Sequence, residues 1–96
     1  MKFMVTWVIP DGEARHGTLK IFSDMTPEQD QELIGDSATL IGRWHEPVSA
    51  TGVAIFESDS AAAVMNYLLN WNEVCDCDVT PVLDDDEARA LGRSQN

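Results

Sequence analysis

Basic residues are scarce in this 96-residue chain: six Lys and Arg stand against 17 Asp and Glu, a formal charge of −11. Between Lys20 and Arg89 the only Lys or Arg is Arg43. A nucleic-acid binder needs a basic stripe, so that class is excluded, and docking on an anionic membrane surface is disfavoured by the same charge. No apolar stretch approaches the ~20 residues of a membrane span. The apolar start, residues 1–9, alternates and is cut off by Pro10-Asp11-Gly12, so it does not read as a secretory signal. Two cysteines cannot staple such a fold, because Cys75 and Cys77 are two apart and point to the same side of a strand. A reduced, cytoplasmic protein is expected. Gly-rich phosphate loops, a G-x-S-x-G elbow, low-complexity tracts and internal repeats are also missing.

Neither a metal nor a cofactor is expected. Cys75-Asp76-Cys77-Asp78 lacks the second Cys or His pair of a structural zinc site, and His16 and His45 are distant and unpaired. The cysteines read as buried free thiols. The run Asp84-Asp85-Asp86-Glu87 lacks the spaced acids and glycine of a calcium loop, and its place in a helix's first turn suffices to explain it.

What is present is an ordinary globular balance, 44% apolar and 24% charged residues. The length gives one domain, residues 1–93, with 94–96 as a tail. Such a chain buries only about 60–65% of its unfolded surface. Without disulfides or a metal, extra burial comes most readily from self-association, so a homodimer is expected.

Residues 2–9 (KFMVTWVI) are β-branched and aromatic and predict a central strand. Residues 11–25 place Ala14, Thr18, Ile21, Phe22 and Met25 on one helical stripe, weakened by Gly12 and Gly17. Thr26-Pro27-Glu28-Gln29 is a capping box opening a short helix over 27–34, with so few apolar residues that it reads as a surface excursion. Residues 38–45 and 53–58 predict strands joined by a hairpin loop at 46–52. Asp59 then caps a helix over 60–71 with Ala61, Val64, Met65, Leu68 and Leu69 on its stripe. A fourth strand spans 76–83, and Asp84 caps a last helix that stops near Gly92.

The order β-α-(α)-β-β-α-β-α is that of a ferredoxin-like α+β domain: a βαββαβ unit with a four-stranded antiparallel sheet and a short C-terminal helix. Strand alternation gives one face to Phe3, Val5, Trp7, Leu40, Gly42, Trp44, Val53, Ile55, Cys77, Val79 and Pro81, which is assigned to the helices. A one-residue slip of register would move Trp44 to the other face. The second set is Met4, Thr6, Val8, Ile41, Arg43, His45, Ala54, Phe56, Ser58, Asp78, Thr80 and Val82. It mixes apolar with polar side chains, as expected of a sheet that meets a second copy around a small cavity.

The stretches 2–7 (KFMVTW), 42–45 (GRWH), 53–60 (VAIFESDS), 71–76 (WNEVCD) and 80–91 (TPVLDDDEARAL) resemble a family of small uncharacterised bacterial proteins, a domain of unknown function. The resemblance covers about a third to a half of the chain. It implies a ferredoxin-like or dimeric α/β-barrel fold. It implies no activity, so no catalytic residue carries over. Dimeric α/β barrels include cofactor-free monooxygenases, isomerases and non-enzymatic binders, and fold alone does not choose among them.

Arg43 and His45 lie two apart on one side of a strand. Arg43 reads either as a bidentate anchor for a carboxylate ligand or as the partner of a nearby acid. His45 reads either as a general acid or base or as a surface strand end. The three tryptophans read as core or as a wall for a planar ligand. The expected site is a cavity between the sheets of a dimer, lined by Thr6, Arg43, His45, Phe56 and Thr80 and taking a small anionic or planar organic molecule. The alternatives are a non-catalytic acidic interaction module that docks on a basic partner, and a cofactor-free small-molecule enzyme. Catalytic residues are not assigned.

Overall fold

The computed structural model describes residues 1–10 and 12–95, the side chains of Glu13 and Ala14 excepted. Asp11, the place of Ala14 on the helical stripe, and Asn96 of the tail lie outside the described residues. The elements run β1 (Lys2–Val8), α1 (Gly12–Asp24), α2 (Pro27–Ile34), β2 (Thr39–Glu46), β3 (Thr51–Glu57), α3 (Ala61–Leu68), β4 (Asp76–Val82) and α4 (Asp85–Arg93). The sheet order is β2-β3-β1-β4, every pair antiparallel. Both helical crossovers return the chain one strand away, with β3 or β1 slotted between, which is the ferredoxin-like α+β arrangement.

Cross-strand partners share a face. Phe3, Val5 and Trp7 oppose Phe56, Ala54 and Gly52 on one side and Pro81, Val79 and Cys77 on the other. Ala54 and Phe56, each 1% exposed, therefore face the helices, while Val53 and Ile55 turn to the open side. This reverses the assignment drawn from alternation, because both phases of residues 53–56 are apolar and the pattern cannot choose. Strand β2 carries a bulge between Leu40 and Gly42 that switches its phase. Leu40 faces the helices opposite Phe56; beyond the bulge Arg43 and His45 do so, opposite Ala54 and Gly52. Gly42 and Trp44 are thrown onto the open face, where Trp44 is 60% exposed. Alternation had put these four residues the other way round.

The core is Phe3, Val5, Ala54 and Phe56 from the sheet, Ile34 from α2, Ala38, and Val64, Tyr67 and Leu68 from α3. The stripe of α3 is turned from the expected one: Met65 and Leu69 are exposed and Tyr67 is buried. The cap is Ser60, whose hydroxyl accepts from the Ala63 N–H (3.2 Å), rather than Asp59, and helix α3 ends at Leu68, with Trp71 in the turn that follows. Helix α2 begins with both halves of the capping box: Gln29 N–H donates to Thr26 Oγ1 (3.1 Å) and Thr26 N–H to Gln29 Oε1 (2.9 Å). It is no surface excursion, since Asp30 and Ile34, four apart on one side, are buried against α3.

Helix α4 has its own capping box, Asp84 with Glu87, and Lys2 bridges to Asp84 (3.1 Å) and Glu87 (3.4 Å). None of its residues is buried. The protomer measures 53 × 28 × 18 Å, with a radius of gyration of 15.1 Å. A compact chain of this length has about 12–13 Å, so the molecule is extended.

Candidate functional site

The bulge in β2 brings Arg43 under the helices, where it meets two buried groups. Its Nη2 donates to Asp30 Oδ2 (2.6 Å) and its Nη1 to the Tyr67 hydroxyl (2.9 Å). That hydroxyl donates to Asp30 Oδ1 (2.6 Å). The three side chains close a triangle that joins β2, α2 and α3, and both carboxylate oxygens are occupied. Burial, with the hydrogen bond to Asp30, pushes the Tyr67 phenol up to about 12. The guanidinium is raised above its ordinary range by Asp30 and Tyr67 despite burial, and stays charged. Its carbon lies 4.8 Å from the centre of the Phe22 ring, a cation–π approach.

Above the triangle, between α1 and the sheet, the protomer holds a cavity of about 500 Å³. This size suits a small organic ligand. Its floor is Val5, Ala54, Phe56 and Leu68. Its sides are aromatic: Trp7 meets His45 edge-on (5.4 Å between ring centres), and Phe22 lies 4.8 Å from His45 and 6.1 Å from Trp71. Trp7 reaches this position because Gly52 opposite has no side chain; a Cβ there would lie 2.0 Å from the indole. Burial, and the positive charge of Arg43, hold the His45 imidazole below its ordinary pKa of 6.5.

One donor is left over. The indole N–H of Trp71 is buried without a hydrogen-bond partner. It lies near enough to the Tyr67 hydroxyl to influence its ionisation, and that oxygen, which accepts from Arg43 with one lone pair, keeps a second that faces no other donor among the described residues.

Of the five residues expected to line a site, Arg43, His45 and Phe56 border this cavity. Thr6 and Thr80 do not; they oppose Val53 and Met4 on the open face of the sheet. Asp30, Tyr67 and Phe22 were missed. A capping box fixes where α2 begins, and from there Asp30 and Ile34 share a side, so Asp30 was within reach of the pattern. The Arg43–Asp30 contact needs the bulge and was not.

The structure thus defines a ferredoxin-like α+β protein with an aromatic-walled cavity over a buried Asp–Arg–Tyr triangle. The chain belongs to the family described as Domain of unknown function (DUF3303), whose model matches residues 1–96. No curated protein and no solved structure matches it significantly. Among the described residues no helix is long and apolar enough to cross a membrane.

Proposed function

We propose that the protein binds a small, planar organic molecule in the cavity between α1 and the sheet. The observation that carries this reading is the aromatic-walled space itself, about 500 Å³ between α1 and the sheet with Trp7, Phe22, His45 and Trp71 around it. Phe22, His45, Trp7 and Trp71 offer ring faces and edges to a flat guest. The charge of Arg43 is balanced by Asp30, which favours a neutral or weakly acidic guest over a strongly anionic one. The site belongs to one protomer rather than to a space between two sheets, because the bulge puts Arg43 on the helix side.

Phe22 is half-buried and outside the core cluster, so its removal spares the fold. With a panel of planar heteroaromatics read by tryptophan fluorescence, Phe22→Ala is expected to weaken binding at least ten-fold while the protein still unfolds cooperatively. The reading fails if no compound binds the wild type, or if binding is equal in both proteins.

A second reading concerns the open face. Trp44, Ile41 and Val8 are 60%, 57% and 38% exposed there, and Leu83 and Leu91 near and on α4 are 52% and 54% exposed. Apolar surface of this kind is a docking surface more often than a free one. We propose that a second copy of the chain covers it, which also accounts for the extended protomer and the unburied α4.

A further inference from the structure

We propose that Cys75 and Cys77 form a reversible dithiol–disulfide pair on the cavity wall, oxidised by a small organic disulfide. Their sulfurs lie 3.9 Å apart, and both residues border the cavity. Residues two apart along a strand have Cα atoms separated by about 6.6 Å, near the upper limit for a disulfide. Here the ladder restrains only one of the pair. Cys77 lies within β4, whereas Cys75 sits in the bend just before it, held through its N–H to the Trp71 carbonyl (3.1 Å). The remaining approach needs side-chain rotation and a small shift of that bend. Among the described residues no third metal-ligating side chain joins the pair.

The two sulfurs are not equivalent. A hydrogen bond from Cys75 favours the thiolate at Cys77, holding it below the ordinary thiol range against burial and the Asp76 and Asp78 charges, while Cys75 is pushed up. Cys75 is also buried, its thiol donating to the Trp71 carbonyl (3.3 Å), whereas Cys77 is partly exposed, so Cys77 is the attacking sulfur. Its thiolate displaces one thiolate from the reagent disulfide and leaves a mixed disulfide on Cys77. Cys75 then loses its proton, and its sulfur attacks the Cys77 sulfur, releasing the second thiolate and closing the Cys75–Cys77 bond. Two electrons pass from the protein to the reagent, which leaves as two thiols. A bond closing so short a loop is readily reduced again by added thiol.

The test uses folded protein and 2-hydroxyethyl disulfide, a neutral probe that the acidic protein does not repel. Intact mass is expected to fall by two hydrogens with both thiols lost and no adduct retained, and dithiothreitol is expected to restore both thiols. Cys75→Ser is expected to keep the mixed-disulfide adduct, and Cys77→Ser to react at least ten-fold more slowly than Cys75→Ser. Wild-type protein that retains its thiols while free dithiothreitol is oxidised under the same conditions overturns the proposal. So does a lasting wild-type adduct, or thiol loss only through disulfides between chains. The wild-type mass decides the matter even where a variant fails to fold.

Discussion

Asp30 holds the most consequential carboxylate in the molecule. It accepts from both Arg43 and Tyr67, and all three side chains are withdrawn from water. Removing one partner of such a group leaves the others desolvated and unmatched. Asp30→Asn is expected to lower the unfolding free energy by about 2–4 kcal/mol, read as a drop in urea midpoint at unchanged slope. Tyr67 is the chain's one tyrosine, so an alkaline absorbance titration reports it alone. The native phenol is expected to titrate at about 12. Because the unfolded phenol titrates near 10, the folded state holds the proton longer, and this contribution to stability is lost as pH rises above 10. His45 works in the opposite direction. Its folded pKa lies below 6.5, so the unfolded chain takes up the proton first and stability falls as pH drops through 6.5. His45→Gln is expected to flatten that part of the stability–pH curve; equal slopes in both proteins would show that His45 does not titrate this way.

At the scale of elements, the sheet depends on glycine where Trp7 crosses β3. Gly52→Ala puts a methyl into the indole, so Trp7 must leave its seat beside His45. A loss of about 1–3 kcal/mol, the usual cost of overpacking, is expected by denaturant unfolding, together with a changed Trp7 emission. The existence and order of every element were legible in the sequence, because capping residues, a proline at the start of α2 and turn chemistry mark their ends. Faces were less legible. Strand β3 is apolar in both phases, and one extra residue in β2 inverts everything after it. The sequence singled out Arg43 and His45 correctly as residues that share a side, but not the side, and so not Asp30 or Tyr67 as company. Thr6 and Thr80 were grouped with them for the same reason: a phase error in β2 and β3 merges two faces that the structure keeps apart.

At the scale of the whole molecule, the exposed apolar residues of the open face predict a dimer whose strength responds to salt. Two chains of charge −11 repel, so screening is expected to tighten their association. Light scattering is expected to return twice the protomer mass at micromolar concentration. Trp44→Asp, on a side chain 60% exposed in the protomer, is expected to return the protomer mass with the fold intact. A wild-type protein that scatters as one chain removes this reading and leaves the cavity untouched, since the cavity lies on the opposite side of the sheet.

Among its described residues helix α1 adds none to either buried apolar cluster; it is held instead by Phe22 against Arg43, His45 and Trp71 and by Arg15, whose Nε donates to the Ile9 carbonyl. The hold on α1 is thus light, and the cavity beneath it has the dimensions of a small organic guest. A bound molecule would act as the missing side chains do elsewhere, so occupancy should register as slowed solvent exchange of the α1 amides and as almost nothing in the rest of the chain.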